Sequence, residues 1–171
     1  MRTKLFPLLF LLTLAAAVSA QTQPELNKTD QQGRKQGYWI KKYPNGNTMY
    51  EGTFRDDKPV GEFKRYDTDK SLKSVLIYSS DSRRADAIMY HPNGFIASRG
   101  KYVDQMKEGK WQFFSAVIKE YLLSEESYSG NKRNGASITY YPDSTIAEKV
   151  NYVNDVREGE WLRYHMGGSL L

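Results

Sequence analysis

The sequence predicts an all-β protein, an elongated open antiparallel meander of about six ~24-residue β-hairpin repeats. Three observations carry this. A small residue recurs at Gly37, Gly61, Ala85, Gly109, Gly135 and Gly159, in steps of 24, 24, 24, 26 and 24 residues. Aromatic residues recur in register with it. Turn-forming residues stand at two fixed places within each period. Units of this size cannot bury a face alone and are stable only when stacked on their neighbours.

The first element is a leader. Arg2 and Lys4 give a positive start, Leu5 to Ala17 form an apolar stretch broken only by Pro7 and Thr13, and Val18-Ser19-Ala20 are the small residues a signal peptidase requires. The stretch falls short of the ~20 apolar residues needed to span a bilayer. Residues 1–20 therefore read as a cleaved signal peptide, with Gln21 opening the mature chain. The sequence contains no cysteine, so it offers no disulfide, no thiol chemistry and no lipid-modified cysteine after the signal. The predicted location is periplasmic or extracellular, for an exported chain that is not a lipoprotein. Residues 21–35 lack aromatics and are mostly polar, which reads as a flexible lead-in.

The repeat domain covers 36–171, with units starting at 37, 61, 85, 109, 135 and 159. With each start as position 0, position +2 reads Trp39, Phe63, Ala87, Trp111, Ser137 and Trp161. Position +5 reads Lys42, Tyr66, Tyr90, Phe114, Tyr140 and Tyr164. Position +17 reads Phe54, Tyr78, Tyr102 and Tyr152, joined by Tyr128 after the two extra residues of the fourth unit. Pro44-Asn45-Gly46, Pro92-Asn93-Gly94, Pro142-Asp143-Ser144 and Gly167-Gly168 mark a first turn. Asn-Gly there points to a two-residue type I′ hairpin, which needs positive φ at both central residues. A second turn follows position +17, at Arg55-Asp56-Asp57-Lys58-Pro59, Val103-Asp104-Gln105-Met106 and Val153-Asn154-Asp155-Val156. Each unit is thus strand, turn, strand, turn.

A two-residue first loop sets +2 opposite +15 and +6 opposite +11. Trp39 then faces Gly52, Phe63 faces Leu76, Trp111 faces Glu126 and Ser137 faces Val150. A tryptophan over a cross-strand glycine covers bare backbone. Positions +2 and +5 differ in parity, so either a bulge intervenes or both faces of the sheet carry rings. The apolar residues Val117-Ile118 and Leu122-Leu123 resemble half a helix, but the repeat register places them in the hairpin scheme.

Composition agrees. The hydrophobic fraction is 39% while 13% of residues are aromatic, including 13 tyrosines. Rings with a polar handle suit half-buried sheet faces better than a thick core. Without the signal the chain keeps 23 basic and 20 acidic residues, a balance too mild to argue for nucleic acid. His91 and His165 stand three repeats apart, too far to converge on a metal. Carboxylate pairs such as Asp67/Asp69 and Glu125/Glu126 have no cleft to hold them at a defined separation, and Asp67 and Asp69 sit in a turn, where aspartate bonds local backbone. No phosphate loop, nucleophile elbow or metal-binding helix motif is present. The sequence predicts no enzyme, no cofactor and no metal.

The segments Gly37-Tyr-Trp39, Tyr43-Pro-Asn45-Gly46, Glu51-Gly52-Thr-Phe54 and Asp57-Lys58 before Gly61 resemble the MORN-repeat family, in the bacterial variant also called YwqK-family antitoxin. The pattern returns at Gly109-Lys-Trp111 and Gly159-Glu-Trp161-Leu-Arg-Tyr164, and covers roughly residues 36–171. The resemblance implies a single-layer β-meander that serves as a binding or scaffolding surface. The antitoxin label attaches to the family name and sits oddly with a secreted chain. Asp69-Lys70 in place of Asn-Gly, and Ala85 and Ala87 in place of Gly and Trp, mark the second and third units as irregular, or as the place where a partner docks.

Candidate partner-binding residues are Trp39, Trp111, Trp161, Tyr66, Tyr90, Tyr140 and Tyr164, because a single layer cannot bury both faces and surplus rings form a recognition patch. The tryptophans have a plainer alternative, packing under the lead-in. The basic residues Lys41, Lys42, Lys64, Arg65, Arg83 and Arg84 are candidate contacts for anionic lipid headgroups; solvated charges that protect a sheet from aggregation are the plainer account of them. The predicted function is an exported, non-catalytic binding or scaffolding protein of the bacterial cell envelope with an envelope-protein partner. The alternative is a peripheral module on an anionic lipid surface.

Overall fold

The computed structural model describes residues 25–171; residues 1–20, expected to be a signal peptide, and the first residues of the expected lead-in lie outside them. The described chain forms one antiparallel sheet of 12 strands whose spatial order is the chain order. The strands are β1 (Lys28–Thr29), β2 (Lys35–Lys42), β3 (Thr48–Arg55), β4 (Lys58–Tyr66), β5 (Leu72–Tyr78) and β6 (Arg84–Tyr90), followed by β7 (Ile96–Val103), β8 (Met106–Phe114), β9 (Leu122–Ser129), β10 (Lys132–Tyr140), β11 (Ile146–Val153) and β12 (Val156–Arg163). No helix forms among the described residues. The fold is the predicted all-β meander of hairpins.

Register follows the predicted parity. Trp39 lies opposite Gly52, Phe63 opposite Leu76, Trp111 opposite Glu126 and Ser137 opposite Val150. Position +2 therefore shares a face with +15 and +17. Position +5 lies on the other face, as the Tyr66 and Tyr140 hydroxyls show by reaching Glu51 and Glu125 there. Both faces carry rings. A shift between Lys41 and Lys42 sets Lys42 opposite Thr48, so +5 and not +6 faces +11; the same shift recurs at Tyr66, Tyr90, Phe114 and Tyr140.

The type I′ geometry expected at the first turn lies at the second. At the first turn only Gly46 has positive φ, 85°, and the Gly46 N–H donates to the Tyr43 carbonyl (2.9 Å). Pro44 and Asn45 are the central residues and the glycine forms a bulge behind them, the three-residue loop rather than the two-residue type I′ form. Proline forces this, because its ring fixes a negative φ that a type I′ turn cannot use. The type I′ pattern sits at the second turn instead: Asp56 and Asp57 have φ of 50° and 65°, Asn154 and Asp155 of 50° and 69°. Aspartate and asparagine tolerate that region better than other side chains.

The recurrent glycine has its own purpose. Gly61 takes φ of 67°, and the pairing of β3 with β4 jumps from Thr53–Val60 to Gly52–Phe63 across it. Each such glycine opens a bulge at the start of a unit. Ala85 stands at this position in the third unit, and the β5–β6 pairing there runs without a shift. An alanine cannot cheaply adopt the bulge conformation, so the ladder stays regular and the preceding turn lengthens to span Ser79–Arg84.

Turns of adjacent units clasp one another. The Lys35 N–H donates to Asp57 Oδ1 (2.8 Å) and the Asp57 N–H to the Lys35 carbonyl (3.2 Å). Asn131 and Asp155 repeat this toward Lys107 and Arg133. On the other edge, the Tyr43 hydroxyl donates to the Tyr66 carbonyl (2.9 Å) and Tyr141 to Tyr164 (2.8 Å). His91 takes the same role, with Nε2 3.1 Å from the Phe114 carbonyl oxygen, so its ring belongs to this structural ladder.

The expected flexible lead-in is ordered over its described part. β1 pairs with β2, the Asn27 N–H donates to the Tyr38 carbonyl (3.0 Å), and Asn27 Oδ1 accepts from the Ile40 N–H (2.8 Å). This covers the open edge of β2, the usual remedy for an unpaired strand.

Candidate functional site

The face shared by positions +2, +15 and +17 carries the core. Phe54, Phe63, Ala85, Ala87, Trp111, Val150 and Tyr152 are its buried apolar residues. Its rings stack edge-on along the sheet: Phe54 meets Phe63 at 5.4 Å and 88°, Phe63 meets Tyr78 at 6.2 Å and 89°, and Tyr102 meets Trp111 at 4.9 Å and 66°. Edge-to-face contacts of this kind add to the area that the rings bury. Glycines at +15 make room for the ring of the following unit. A methyl group on Gly52 would lie 2.3 Å from Phe63, and one on Gly100 2.4 Å from Trp111. The ring over Gly52 is thus Phe63 of the next hairpin, not Trp39 as the pairing alone suggested.

Cations roof this face. Two residues before the unit start stand Lys35, Arg83, Lys107, Arg133 and Arg157. The Lys35 ammonium lies 4.7–5.4 Å from the ring centres of Trp39, Tyr50 and Phe54, and that of Lys107 4.7–4.9 Å from Trp111, Phe113 and Tyr128. Arg133 covers Tyr152 at 4.0 Å and Arg157 covers Trp161 at 4.7 Å. Each pairing is attractive because the ring face is negative. Burial pushes the Lys107 ammonium below its ordinary pKa, with Glu126 opposing.

The pattern breaks in the third unit. Position +2 is Ala87, and position +15 before it is Leu76 rather than glycine. Arg83 has no ring beneath it; its guanidinium turns to Asp104 in a paired contact of 3.0 and 2.8 Å. A hollow of ≈ 230 Å³ opens here, among Arg65, Ser74, Leu76, Tyr78, Arg83, Ala85, Met89 and Tyr102. It adjoins a wider hollow of ≈ 570 Å³ that shares Arg65, Tyr78 and Arg83. No Asp or Glu lines the smaller one, and no carboxylate pairs with Arg65 among the described residues.

The sequence-derived candidates scatter around this site. Trp111 is 1% exposed and cannot offer a surface; it is the largest core side chain. Trp39 is half-buried and packs under the lead-in, its indole N–H donating to the Lys28 carbonyl (3.0 Å). Trp161 alone of the three is open, at 52% exposed, with its indole N–H on Glu148. Tyr66 and Tyr140 lie on the opposite face, where the Tyr66 hydroxyl donates to Glu51 Oε1 (2.6 Å) and that of Tyr140 to Glu125 Oε2 (3.3 Å). Burial and then Glu51 push the Tyr66 phenol up to about 12. Tyr90 and Tyr164 are half-buried, and the Tyr164 carbonyl accepts the Tyr141 hydroxyl. The basic residues do not form one patch. Lys41 and Arg65 stand on the aromatic face, opposite Tyr50 from either side. Lys42 and Lys64 belong to the other face, Lys64 paired with Glu62 at 2.7 Å. Arg83 is tied to Asp104, and Arg84 opens β6 at the sheet margin.

Of the named candidates, Arg65, Arg83 and Arg84 line the hollow, which lies at the second and third units that the sequence marks as irregular or as a docking place. Its trace in the sequence is the size exchange between +15 and +2: Gly52 with Phe63 and Gly100 with Trp111, but Leu76 with Ala87.

Comparison with known proteins adds one finding. Residues 35–56 and 133–154 match a family described as MORN repeat variant. Both segments begin two residues before a unit glycine, carry one hairpin, and end in the second turn. No curated protein matches the chain. MORN repeats are binding and scaffolding modules, and the two matched segments are hairpins of the same register as those between them, so these two units are similar to MORN repeats.

Proposed function

We propose that this chain is an exported, non-catalytic binding protein of the bacterial cell envelope whose aromatic face engages a protein partner. The observation that carries the reading is the single-layer sheet: one face is roofed by rings and cations, nothing packs over it among the described residues, and the ring row is interrupted at Ala87. Export rests on Arg2, Lys4, the apolar stretch Leu5 to Ala17 and the small residues before Gln21. The division of the basic residues between both faces and the turns argues against a flat contact with anionic lipid, which would need them on one side.

The test places a photo-crosslinking residue at Lys41, exposed on the aromatic face, or at Lys149, exposed on the other, in the native envelope. A protein partner should crosslink from position 41 and not from 149, at low and high salt alike. Equal crosslinking from both positions, recovery of lipid alone, or turnover of an envelope substrate abolished by a point mutation would each overturn the reading.

A further inference from the structure

The hollow beside Ala87 has a counterpart one unit later that shows what fits it. Trp111 lies over Gly100, 4.9 Å from Tyr102, with the Lys107 ammonium 4.8 Å from its ring. One period of 24 residues earlier, the equivalents of those three are Leu76, Tyr78 and Arg83, and all three line the hollow. The ring and the cation that frame the indole in the fourth unit are present in the third as Tyr78 and Arg83, with Leu76 in place of the glycine and no indole. Ala85 and Ser74, buried at 4% and 3% exposure, are small side chains at the floor of the hollow. Leu76, Tyr78, Met89 and Tyr102 form walls that are apolar or aromatic.

The rim of the smaller hollow is cationic, while Asp57, Asp81 and Asp104 line the wider hollow next to it. Arg65 is exposed and has no carboxylate partner among the described residues, and Arg83 keeps its outer surface open at 67% side-chain exposure despite its pairing with Asp104. A cation above a space shaped for a ring attracts a ring. An unpaired guanidinium beside it attracts a carboxylate, in a bidentate geometry that lysine cannot reproduce.

We propose that this notch is a docking site for an acidic peptide segment of a partner protein, one that inserts an aromatic side chain beside Leu76 and Tyr78 and sets an adjacent carboxylate on Arg65. This rests on the binding role proposed above and names the chemistry of the partner. The inserted ring supplies from outside the ring that the repeat omits at Ala87.

The experiment uses the chain from Gln21 and three synthetic nine-residue peptides, followed by amide chemical shifts. The first has a central Trp flanked by glutamates, the second the same Trp flanked by lysines, the third Ala in place of Trp among glutamates. The glutamate–Trp peptide should shift the amides of Ser74, Leu76, Ala85 and Met89. The other two should bind about tenfold more weakly or not at all, the loss expected for removing one desolvated ring or charge contact. Arg65→Glu should reverse the order of the two Trp peptides. The double variant L76G/A87W, which restores the glycine–tryptophan pair seen at Gly100 and Trp111, should fold and leave no shift at these amides.

Equal binding of the glutamate and lysine peptides, shifts that spread over the opposite face, or binding that survives both variants would overturn the proposal. If the double variant does not fold, Arg65→Glu and the peptide pair decide alone. Failure of the peptides with crosslinking intact from position 41 sinks the notch and leaves the binding role; loss of both sinks the role as well.

Discussion

Trp111→Ala is the sharpest probe of how the array holds together. The ring is 1% exposed, seated on Gly100, edge-on to Tyr102 and beneath Lys107, and its indole N–H donates to the Lys101 carbonyl at 3.1 Å. Truncation removes the transfer energy of a buried indole and leaves a cavity that a β-sheet cannot collapse, because the strand spacing is fixed by the hydrogen-bond ladder. That costs about 3–5 kcal/mol. Lys107 keeps Phe113 and Tyr128 as ring partners, so the loss of one cation–ring contact adds little. For a chain of this size each kcal/mol lowers the melting temperature by about 2–4 °C, so the fall should be roughly 6–20 °C, read by far-UV circular dichroism. In a one-dimensional array the damage is local: amide exchange should accelerate across β7, β8 and β9 before it does in β2 and β3. Trp161→Ala, at 52% exposure, is the control and should cost about 1 kcal/mol or less. A shift from Trp111→Ala no larger than that of Trp161→Ala, or exchange that rises uniformly over all strands, would refute both the burial argument and the repeat-by-repeat account of stability.

Gly61→Ala should destabilise by about 1–2 kcal/mol in urea titration, because φ of 67° puts a methyl group against its own carbonyl, while nothing lies within 4 Å to clash with it. Asn131→Gly keeps the backbone free to hold φ of 71° but removes the acceptor for the Lys107 N–H (2.7 Å); a loss of about 0.5–1.5 kcal/mol should appear as faster exchange at Lys107. The Tyr66 phenol, raised to about 12 in the folded chain, keeps its proton where the unfolded chain loses it. Its contribution is therefore complete below the ordinary tyrosine value of about 10 and is lost as the pH climbs through about 12. Tyr66→Phe should flatten that alkaline decline in the denaturation midpoint, and an unchanged slope would count against the Glu51 hydrogen bond.

The repeat could be read directly from the chain, because hairpin stacking forces the same chemistry to return at a fixed interval. The positions of the rings, the two turns per unit and the parity that puts Trp39, Gly52 and Phe63 on one face all follow from spacing and from the alternation of side chains along a strand. Turn type was less legible. Pro44-Asn45-Gly46 contains Asn-Gly, yet the proline in front shifts the glycine to the bulge position and hands the type I′ geometry to Asp56-Asp57. A dipeptide signal is decided by its neighbours. The polarity of the lead-in points to flexibility, but Asn27 and Lys28 gain order from backbone bonds to Tyr38 and from the Trp39 indole, which composition does not encode.

The candidate site divides the same way. Ala85 and Ala87 stand out in the sequence as departures from the repeat, and they mark the place where the ring row opens. What they leave there depends on the neighbours across the sheet. Leu76, Tyr78, Met89 and Arg65 reach the hollow from β4, β5 and β6, and their convergence follows from register and ring packing rather than from adjacency in the chain. For Trp111 and Trp161 the sequence shows two tryptophans at the same repeat position, while burial separates them: one lies on Gly100 with strands on both sides, and the other pairs across from Val150 with half its surface open. The chain itself determined the period, the strands and the faces, since these are local and repeat. Tertiary structure alone decided which rings are core and which are surface, because burial is a property of what lies on the neighbouring strand.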